Sequence, residues 1–444
     1  MCRILNASGD HTLEPLSDLQ FRRPVEHGER LLLYADLAVR IGLNLQPGQR
    51  LLVIGPIANG GVSLDAAPLV RQVAESAYRT GAPLVEVLWG DEALQLARLR
   101  AAPRASFDQF SAWLPEALAR HVAAGDAVLS IYANDPDLLR DAPPPLVSAL
   151  QQAASQAVRP FREAISRNGT NWAVVAAPSP AWAARVFPDL PRAEQVPCLW
   201  DAIARLCRLD QEDPIAAWEK HLEALAVRRD VLNRKRYAAL KYRGPGTDLT
   251  VGLAPGHVWT SGRSVSAQGI TFAPNLPTEE VFTMPHKDRV DGTVQSSKPL
   301  GYGGTLIENF TFRFAEGRIV HLTAERGEAV LRDLVATDPG AGRLGEVALV
   351  PHSSPVAQSG LLFYNTLFDE NAATHAALGS AYKVTVEGGE GFDDAAFERA
   401  GGNQSAVHVD FMIGSSELDV DGIGDGGAAE PLMRGGEWVA EGPS

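Results

Sequence analysis

The chain has 444 residues, and 40 Lys and Arg against 54 Asp and Glu give it a formal net charge of −14 at pH 7. This charge repels phosphate backbones and anionic lipid surfaces, which argues against nucleic acid and membranes as partners. With 45% hydrophobic and 21% charged residues, the composition is that of a folded globular protein rather than a disordered one.

The N-terminal region gives the first indication of cellular location. Residues 1–27 mix charge, Pro and Gly without periodicity, which predicts a poorly ordered tail. They contain no apolar run typical of a signal peptide, and no later stretch has the roughly 18 apolar residues of a spanning helix. The three cysteines fit neither a disulfide framework nor a C-x-x-C motif. We therefore expect a cytoplasmic protein.

Residues 28–236 alternate between helical and strand patterns. Short apolar runs predict buried strands at 51–54, 84–89, 127–132 and 172–176. Stretches with helical spacing of apolar residues separate them, at 67–79, 107–123 and 145–166. This alternation is typical of a parallel sheet with flanking helices. The sequence thus predicts an α/β N-terminal domain.

The sequence pattern changes after a charged helix predicted at 218–236. From about residue 241, short β-like segments separated by Gly and Pro replace the long helical patterns. Two helices are predicted within this region, at 324–336 and 371–381. We expect residues 237–444 to form a second domain, of the α+β class with antiparallel strands.

Several motifs are absent, which narrows the chemistry. There is no GxxxxGK[ST], no HExxH and no GxSxG in the sequence, so nucleotide hydrolysis on a P-loop, zincin proteolysis and α/β-hydrolase chemistry lack their usual support. Gly422–Gly427 matches GxGxxG but no helix follows, so a turn is the better interpretation. The first predicted strand also lacks the dinucleotide fingerprint, which weakens the case for a dinucleotide or sugar-phosphate enzyme.

Strand alternation brings a histidine and a carboxylate together near residue 410. In residues 406–413 the apolar side chains fall on one face, and His408 and Asp410 fall on the other. Neutral imidazole and ionised carboxylate both offer lone pairs, so this pair can bind one cation such as Zn²⁺. A solvated face or a simple His–Asp hydrogen bond explains the same pattern.

A second candidate segment, 368–382, is rich in small residues. Glu370 lies near a predicted helix start, and His375 and Tyr382 are seven residues apart. If the helix is continuous, that spacing of two turns puts both on one face. The alternative is a capping acid with a core histidine.

Two further glutamates begin apolar strands. Glu346 begins the run 346–350, and the pair Glu279 and Glu280 precedes Val281. Adjacent residues on a strand project to opposite faces, so we expect only one of the pair to face inward. Each glutamate, taken singly, is equally well explained as a solvated charge at a strand end.

Together these segments resemble the aminopeptidase S/aminopeptidase T family of thermophilic-type metalloproteases. The resemblance rests on segments that occur in order along the chain: 34–40, 82–89, 275–283, 289–292, 345–348, 369–382 and 408–410. It implies a co-catalytic pair of divalent ions, Zn, Co or Mn, in a metal-binding C-terminal domain. It also implies a homodimer that acts on short peptides with a free N-terminus.

The resemblance also assigns roles to particular residues. The implied metal ligands are Glu280, Glu346, Glu370, His375, His408 and Asp410. Tyr382 would lie beside the metals and donate a hydrogen bond to the tetrahedral oxyanion, while the metals activate a water for attack. The preference for Glu280 over Glu279 comes from the motif alone. Either Glu346 or an unligated carboxylate nearby would shuttle the proton, and the sequence leaves this choice open.

One reading from a different class competes with the peptidase. The protein could be a non-enzymatic binding or scaffold protein that uses its α/β domain to hold a small molecule. Such a protein would not need six potential metal ligands.

Overall fold

The computed structural model describes residues 26–57, 60–302 and 305–439. Contacts divide the chain into two units. The first runs to His221 and includes Arg263–Pro277 and Ser359–Leu367; the second comprises Leu222–Gly262, Thr278–Gln358 and the chain from Phe368 onward. The predicted N-terminal tail lies almost entirely outside the described residues. No helix among the described residues is both long and apolar enough to cross a membrane.

The first unit contains the expected parallel sheet with helices around it. Its four strands lie in the order Val85–Val87, Leu51–Ile54, Ala127–Tyr132 and Trp172–Ala176. The accompanying helices are His27–Leu37, Ala67–Thr80, Glu92–Ala101, Trp113–Ala123, Pro144–Ala157, Arg159–Ser166, Pro180–Val186 and Arg192–Leu206. Pairs of short strands at Val62–Ser63 with Trp89–Gly90, and Ser264–Val265 with Thr271–Phe272, complete it. The predicted α/β class is confirmed.

Two helices of the first unit differ from prediction. The helix predicted at 107–123 begins only at Trp113. The one predicted at 145–166 is two helices, with the break at Val158. Pro160, in the first turn of the second helix, explains the break, because proline has no amide hydrogen to continue a preceding helix and is tolerated only in a first turn.

The second unit is built from antiparallel strands. A nine-stranded sheet contains Leu300–Tyr302, Thr305–Ala315, Arg318–Arg326, Pro285–Gln295, Thr247–Leu253, Ala239–Gly244, Asp419–Ile423, Ala429–Arg434 and Glu437–Trp438. A five-stranded sheet has the order His408–Met412, His375–Gly379, Leu344–Leu349, Val281–Thr283 and Thr260–Ser261. Side chains of both sheets share one hydrophobic cluster, which includes Trp259, Phe310, Phe312 and Phe411. The predicted α+β class is therefore confirmed as well.

The helices of this part of the chain are Pro214–Lys235, Glu328–Val335, Pro355–Ser359, Thr366–Asp369 and Asp394–Arg399. The predicted helix at 324–336 starts late, because the strand before it extends to Arg326 and Gly327 adopts a positive φ of 77°. The GxGxxG match at Gly422–Gly427 is the expected turn, since Asp419–Ile423 and Ala429–Arg434 pair as an antiparallel hairpin.

The prediction of a helix at 371–381 is wrong. Residues Glu370–Ala372 form one turn of 3₁₀ helix, and His375–Gly379 is a strand in which every residue is buried. This strand pairs on one side with Leu344–Leu349 and on the other with His408–Met412. Alanine has the highest intrinsic helix propensity, but propensity differences are below about 1 kcal/mol per residue, so pairing with two neighbouring strands outweighs this local preference.

Candidate metal centre

Strand register collects most of the candidate residues on one face of the five-stranded sheet. Glu346 is paired with Ala377, and Ala377 with Asp410. Paired residues on antiparallel strands point to the same side, as do residues two apart on one strand. His375 and His408 therefore share this face, which we call the polar face. The opposite face carries Val347, Ala376 and Phe411 of the core.

Two glycines allow the strands to approach closely here. The pairing of Leu344–Leu349 with His375–Gly379 contains a bulge just before Glu346. A side chain at Gly345 would collide with the carbonyl oxygens of Gly379 and Ser380. Gly379 itself has a φ of 99°, which other residues rarely adopt. The bulge thus directs Glu346 toward the two histidines.

Glu346 lies at the centre of the candidate site and is 5% exposed. Its Oε1 is 3.7 Å from Nε2 of His375, and its Oε2 is 3.8 Å from Nε2 of His408. Nε2 of His375 is also 3.3 Å from Oε2 of Glu280, and Nε2 of His408 is 3.4 Å from Oδ1 of Asp410. Glu346 is therefore common to two groups, each of which contains a histidine and a second carboxylate.

Ligand atoms within 4.8 Å of one another define those two groups among the described residues. One is Glu280, Glu346 and His375, and the other is Glu346, His408 and Asp410. Each offers carboxylate oxygen and imidazole nitrogen, donors that suit Zn²⁺ and related divalent ions. Five of the six predicted ligands are thus brought together in space.

The other ring nitrogen of each histidine contacts the backbone. Nδ1 of His375 is 3.1 Å from the carbonyl oxygen of Ala373, and Nδ1 of His408 is 2.7 Å from that of Ser380. A carbonyl only accepts, so Nδ1 carries the hydrogen and donates it. In a neutral ring Nε2 then presents a lone pair to carboxylates, which is unfavourable unless a proton or a metal ion lies between them. The same orientation is usual for histidines that bind metals.

The pKa values of the two histidines also indicate that the cluster favours positive charge. Burial alone would lower the pKa of His375, but its contacts with Glu280 and Glu346 raise that pKa well above its usual value. Burial opposes protonation of His408 too, and its contact with Asp410 raises the pKa to about 9. The pKa of Glu346 is raised by burial. The cluster thus captures protons when no other cation is bound.

Of the adjacent pair Glu279 and Glu280, Glu280 is the one whose carboxylate lies beside His375. Both side chains are buried, with 4% and 7% of their surface exposed, so the expectation that only one faces inward is wrong. Glu280 lies just before the strand Val281–Thr283, and there the backbone amide of Glu279 donates a hydrogen bond to Oδ1 of Asn371. Burial of Glu279 is a feature that alternation alone could not predict.

Glu370 belongs to neither contact group. It lies in the 3₁₀ turn Glu370–Ala372, and burial together with the charges of Glu280 and Asp410 raises its pKa well above the usual value. The negative charges of the cluster therefore act on the Glu370 carboxyl group although it is in neither contact group.

Tyr382 reaches the site by a route other than the predicted helix face. It follows the strand His375–Gly379, and its ring centroid is 4.8 Å from that of His408 and 6.5 Å from that of Phe282. Although 41% of the residue is exposed, desolvation of the hydroxyl and the charges of Glu346 and Asp410 raise its pKa well above the usual value. The hydroxyl keeps its proton and can donate it in a hydrogen bond.

Comparison with known proteins gives the family. The family model described as thermophilic metalloprotease (M29) matches residues 27–438. The chain belongs to this family. It is 50% identical over 405 residues to aminopeptidase T of Thermus thermophilus, and 48% identical over 408 residues to aminopeptidase 2 of Geobacillus stearothermophilus. These alignments cover 91% and 92% of this chain and 97% of each relative.

A solved structure extends the M29 relationship to three dimensions. Wild-type AmpT from Thermus thermophilus matches with a TM-score of 0.86 at 48% identity, over 93% of this chain and 99% of that one. The predicted resemblance is thereby confirmed for fold and family. A binding or scaffold protein is not favoured for a chain with this relationship and two potential metal-binding groups.

Proposed function

We propose that this M29 chain is a metal-dependent aminopeptidase that removes N-terminal residues from peptides at a site with two divalent ions. The observation that carries the proposal is the position of Glu346 between the two histidines. The proposed ligands are those named by the resemblance: Glu280, Glu346, Glu370, His375, His408 and Asp410. The similarity to two M29 aminopeptidases, aminopeptidase T and aminopeptidase 2, supports the activity.

The donor set fits two divalent ions. Four carboxylates with two neutral imidazoles carry a charge of about −4, and buried charges are stable only when they are compensated. Two divalent ions supply that compensation. Carboxylate oxygens and imidazole nitrogens without a thiolate favour Zn, Co or Mn. When bound, such a pair activates water and polarises a carbonyl group.

The chain's own residues would then position and complete the reaction. These residues would hold ions able to bind the free α-amine of a peptide, and binding of the amine there would restrict cleavage to the first residue. The hydroxyl of Tyr382 would donate a hydrogen bond to the carbonyl oxygen of the scissile bond as negative charge develops there. Either Glu346 or an unligated carboxylate nearby would take a proton from water and pass it to the leaving amine.

The family resemblance also supports a proposal for the substrate, the assembly and the cellular location of this protein. Short peptides with a free N-terminus are the proposed substrates, the proposed assembly is a homodimer, and the proposed location is the cytoplasm. The acidic net charge of −14 is consistent with a partner that is neither nucleic acid nor membrane.

N-terminal acetylation of a substrate is expected to slow hydrolysis by at least ~1000-fold, because it removes the free amine that the site recognises. The measurement compares Leu-Gly-Gly with acetyl-Leu-Gly-Gly after addition of Zn²⁺, Co²⁺ or Mn²⁺, with products separated by chromatography. Free leucine should appear first from the unblocked peptide. Cleavage of both peptides at similar rates, or cleavage at internal bonds, would argue against an aminopeptidase.

A further inference from the structure

We propose that Phe282, together with the ring of Tyr382, forms an apolar wall that contacts the side chain of the substrate's first residue. This inference rests on the proposed aminopeptidase activity, and it names a residue that sets the preference among N-terminal residues. No sequence pattern indicated Phe282, because an aromatic residue in an apolar strand is usually part of the core.

Strand geometry turns Phe282 away from the core. Val281 and Thr283, on either side of it, are fully buried, and Val281 belongs to the hydrophobic cluster of the second unit. Phe282 points to the opposite side and is only half-buried. The Phe282 ring therefore lies on the side of this strand that faces away from the hydrophobic cluster.

Register places this ring on the polar face. Phe282 is paired with Ala348, and Ala348 is paired with His375. Since neighbouring strands are about 4.8 Å apart, the backbones of Phe282 and His375 lie about 9.6 Å from each other on one face. The residue between them is Ala348, whose side chain is short, and the same face carries the candidate metal ligands Glu346 and His375.

Tyr382 continues the same apolar surface. Its ring centroid lies 6.5 Å from that of Phe282 with planes at 69°, an edge contact, and 4.8 Å from that of His408. The side chain of a peptide's first residue is bonded to the same α-carbon as the amine. When that amine is bound beside the candidate metal ligands, this side chain can contact the Phe282 ring.

The test measures selectivity, which a purely structural role of Phe282 would not change. Values of kcat/KM are determined for leucine and alanine p-nitroanilides with metal-loaded wild-type protein and Phe282→Ala. A leucine side chain reaches the wall and an alanine side chain does not. We expect the ratio of leucine to alanine kcat/KM to fall by at least ~10-fold, the lower range for apolar pocket contacts.

Two further variants make the test specific. Phe282→Leu keeps an apolar but shorter side chain, and should lower the ratio by ~3-fold; it also replaces the alanine variant if that one does not fold. Phe110→Ala changes a half-buried phenylalanine in the first unit, and should leave the ratio at the wild-type value.

Three results would overturn the inference. Equal losses on both substrates would assign Phe282 a structural role. A second such result uses dipeptides that share the first residue and differ in the second. If Phe282→Ala changes the preference among these dipeptides, the wall contacts the leaving-group side of the substrate. A wild-type protein that hydrolyses neither substrate with any of the three metals would contradict the proposed function itself, and the inference with it.

Discussion

Glu346→Gln is expected to lower kcat/KM by at least ~1000-fold and to reduce the amount of bound metal. Glu346 is the residue shared by both acid and histidine groups, so its charge contributes to both proposed metal positions. Loss of a residue that merely orients a metal ligand already costs about 10–100-fold in affinity or activity. Loss of a shared ligand should cost more. Steady-state kinetics and elemental analysis of the purified variant provide the measurement.

The control for this variant is Glu325→Gln, which makes the same chemical change on an exposed strand residue outside the site. It should retain wild-type kinetics and metal content. Circular dichroism establishes that both variants fold. A folded Glu346→Gln with normal metal content and normal kcat/KM would show that this carboxylate is not a ligand.

Tyr382→Phe is expected to lower kcat by ~100–1000-fold while the content of bound metal stays at the wild-type value. The substitution keeps the ring that packs against Phe282 and His408 and removes only the hydroxyl. Removing one donor to a developing oxyanion typically costs about 2.7–4 kcal/mol. Kinetics with unblocked dipeptides and elemental analysis of the same preparation separate an effect on turnover from an effect on metal binding.

Tyr242→Phe is the matched control. Tyr242 is fully buried in the core of the second unit and its hydroxyl has no hydrogen-bond partner among the described residues. Loss of that hydroxyl should leave turnover unchanged. Near-normal kcat in Tyr382→Phe with full metal content would reject the role in oxyanion stabilisation, and metal loss would instead make Tyr382 part of the coordination.

Patterns within single strands predicted much of this architecture. Alternation in 407–413 correctly separated the core-facing Phe411 from His408 and Asp410, because the period of a strand is fixed by its backbone. The apolar runs 51–54, 127–132 and 172–176 predicted three of the four parallel strands of the first unit with the observed bounds. The bounds of a strand and the faces of its side chains depend on local sequence, and they can therefore be predicted from it.

Features that depend on pairing between distant segments were not predictable in this way. Residues 375–379 have a helical composition, yet they lie between two other strands. Tyr382 was expected beside His375 on a helix, whereas it reaches His408 from the segment after the strand. The backbone amide of Glu279 donates a hydrogen bond to Asn371, 92 residues later in the sequence, and the contact of Phe282 with Tyr382 also joins distant segments.

Metal content and its link to activity test the central claim most directly. The protein is loaded with Zn²⁺, Co²⁺ or Mn²⁺, freed of excess ions, and analysed for bound metal and for hydrolysis of an unblocked dipeptide before and after exhaustive chelation. The account predicts about two divalent ions per chain, loss of hydrolysis when they are removed, and recovery when they are restored. Undiminished hydrolysis by protein verified to be free of metal would contradict it.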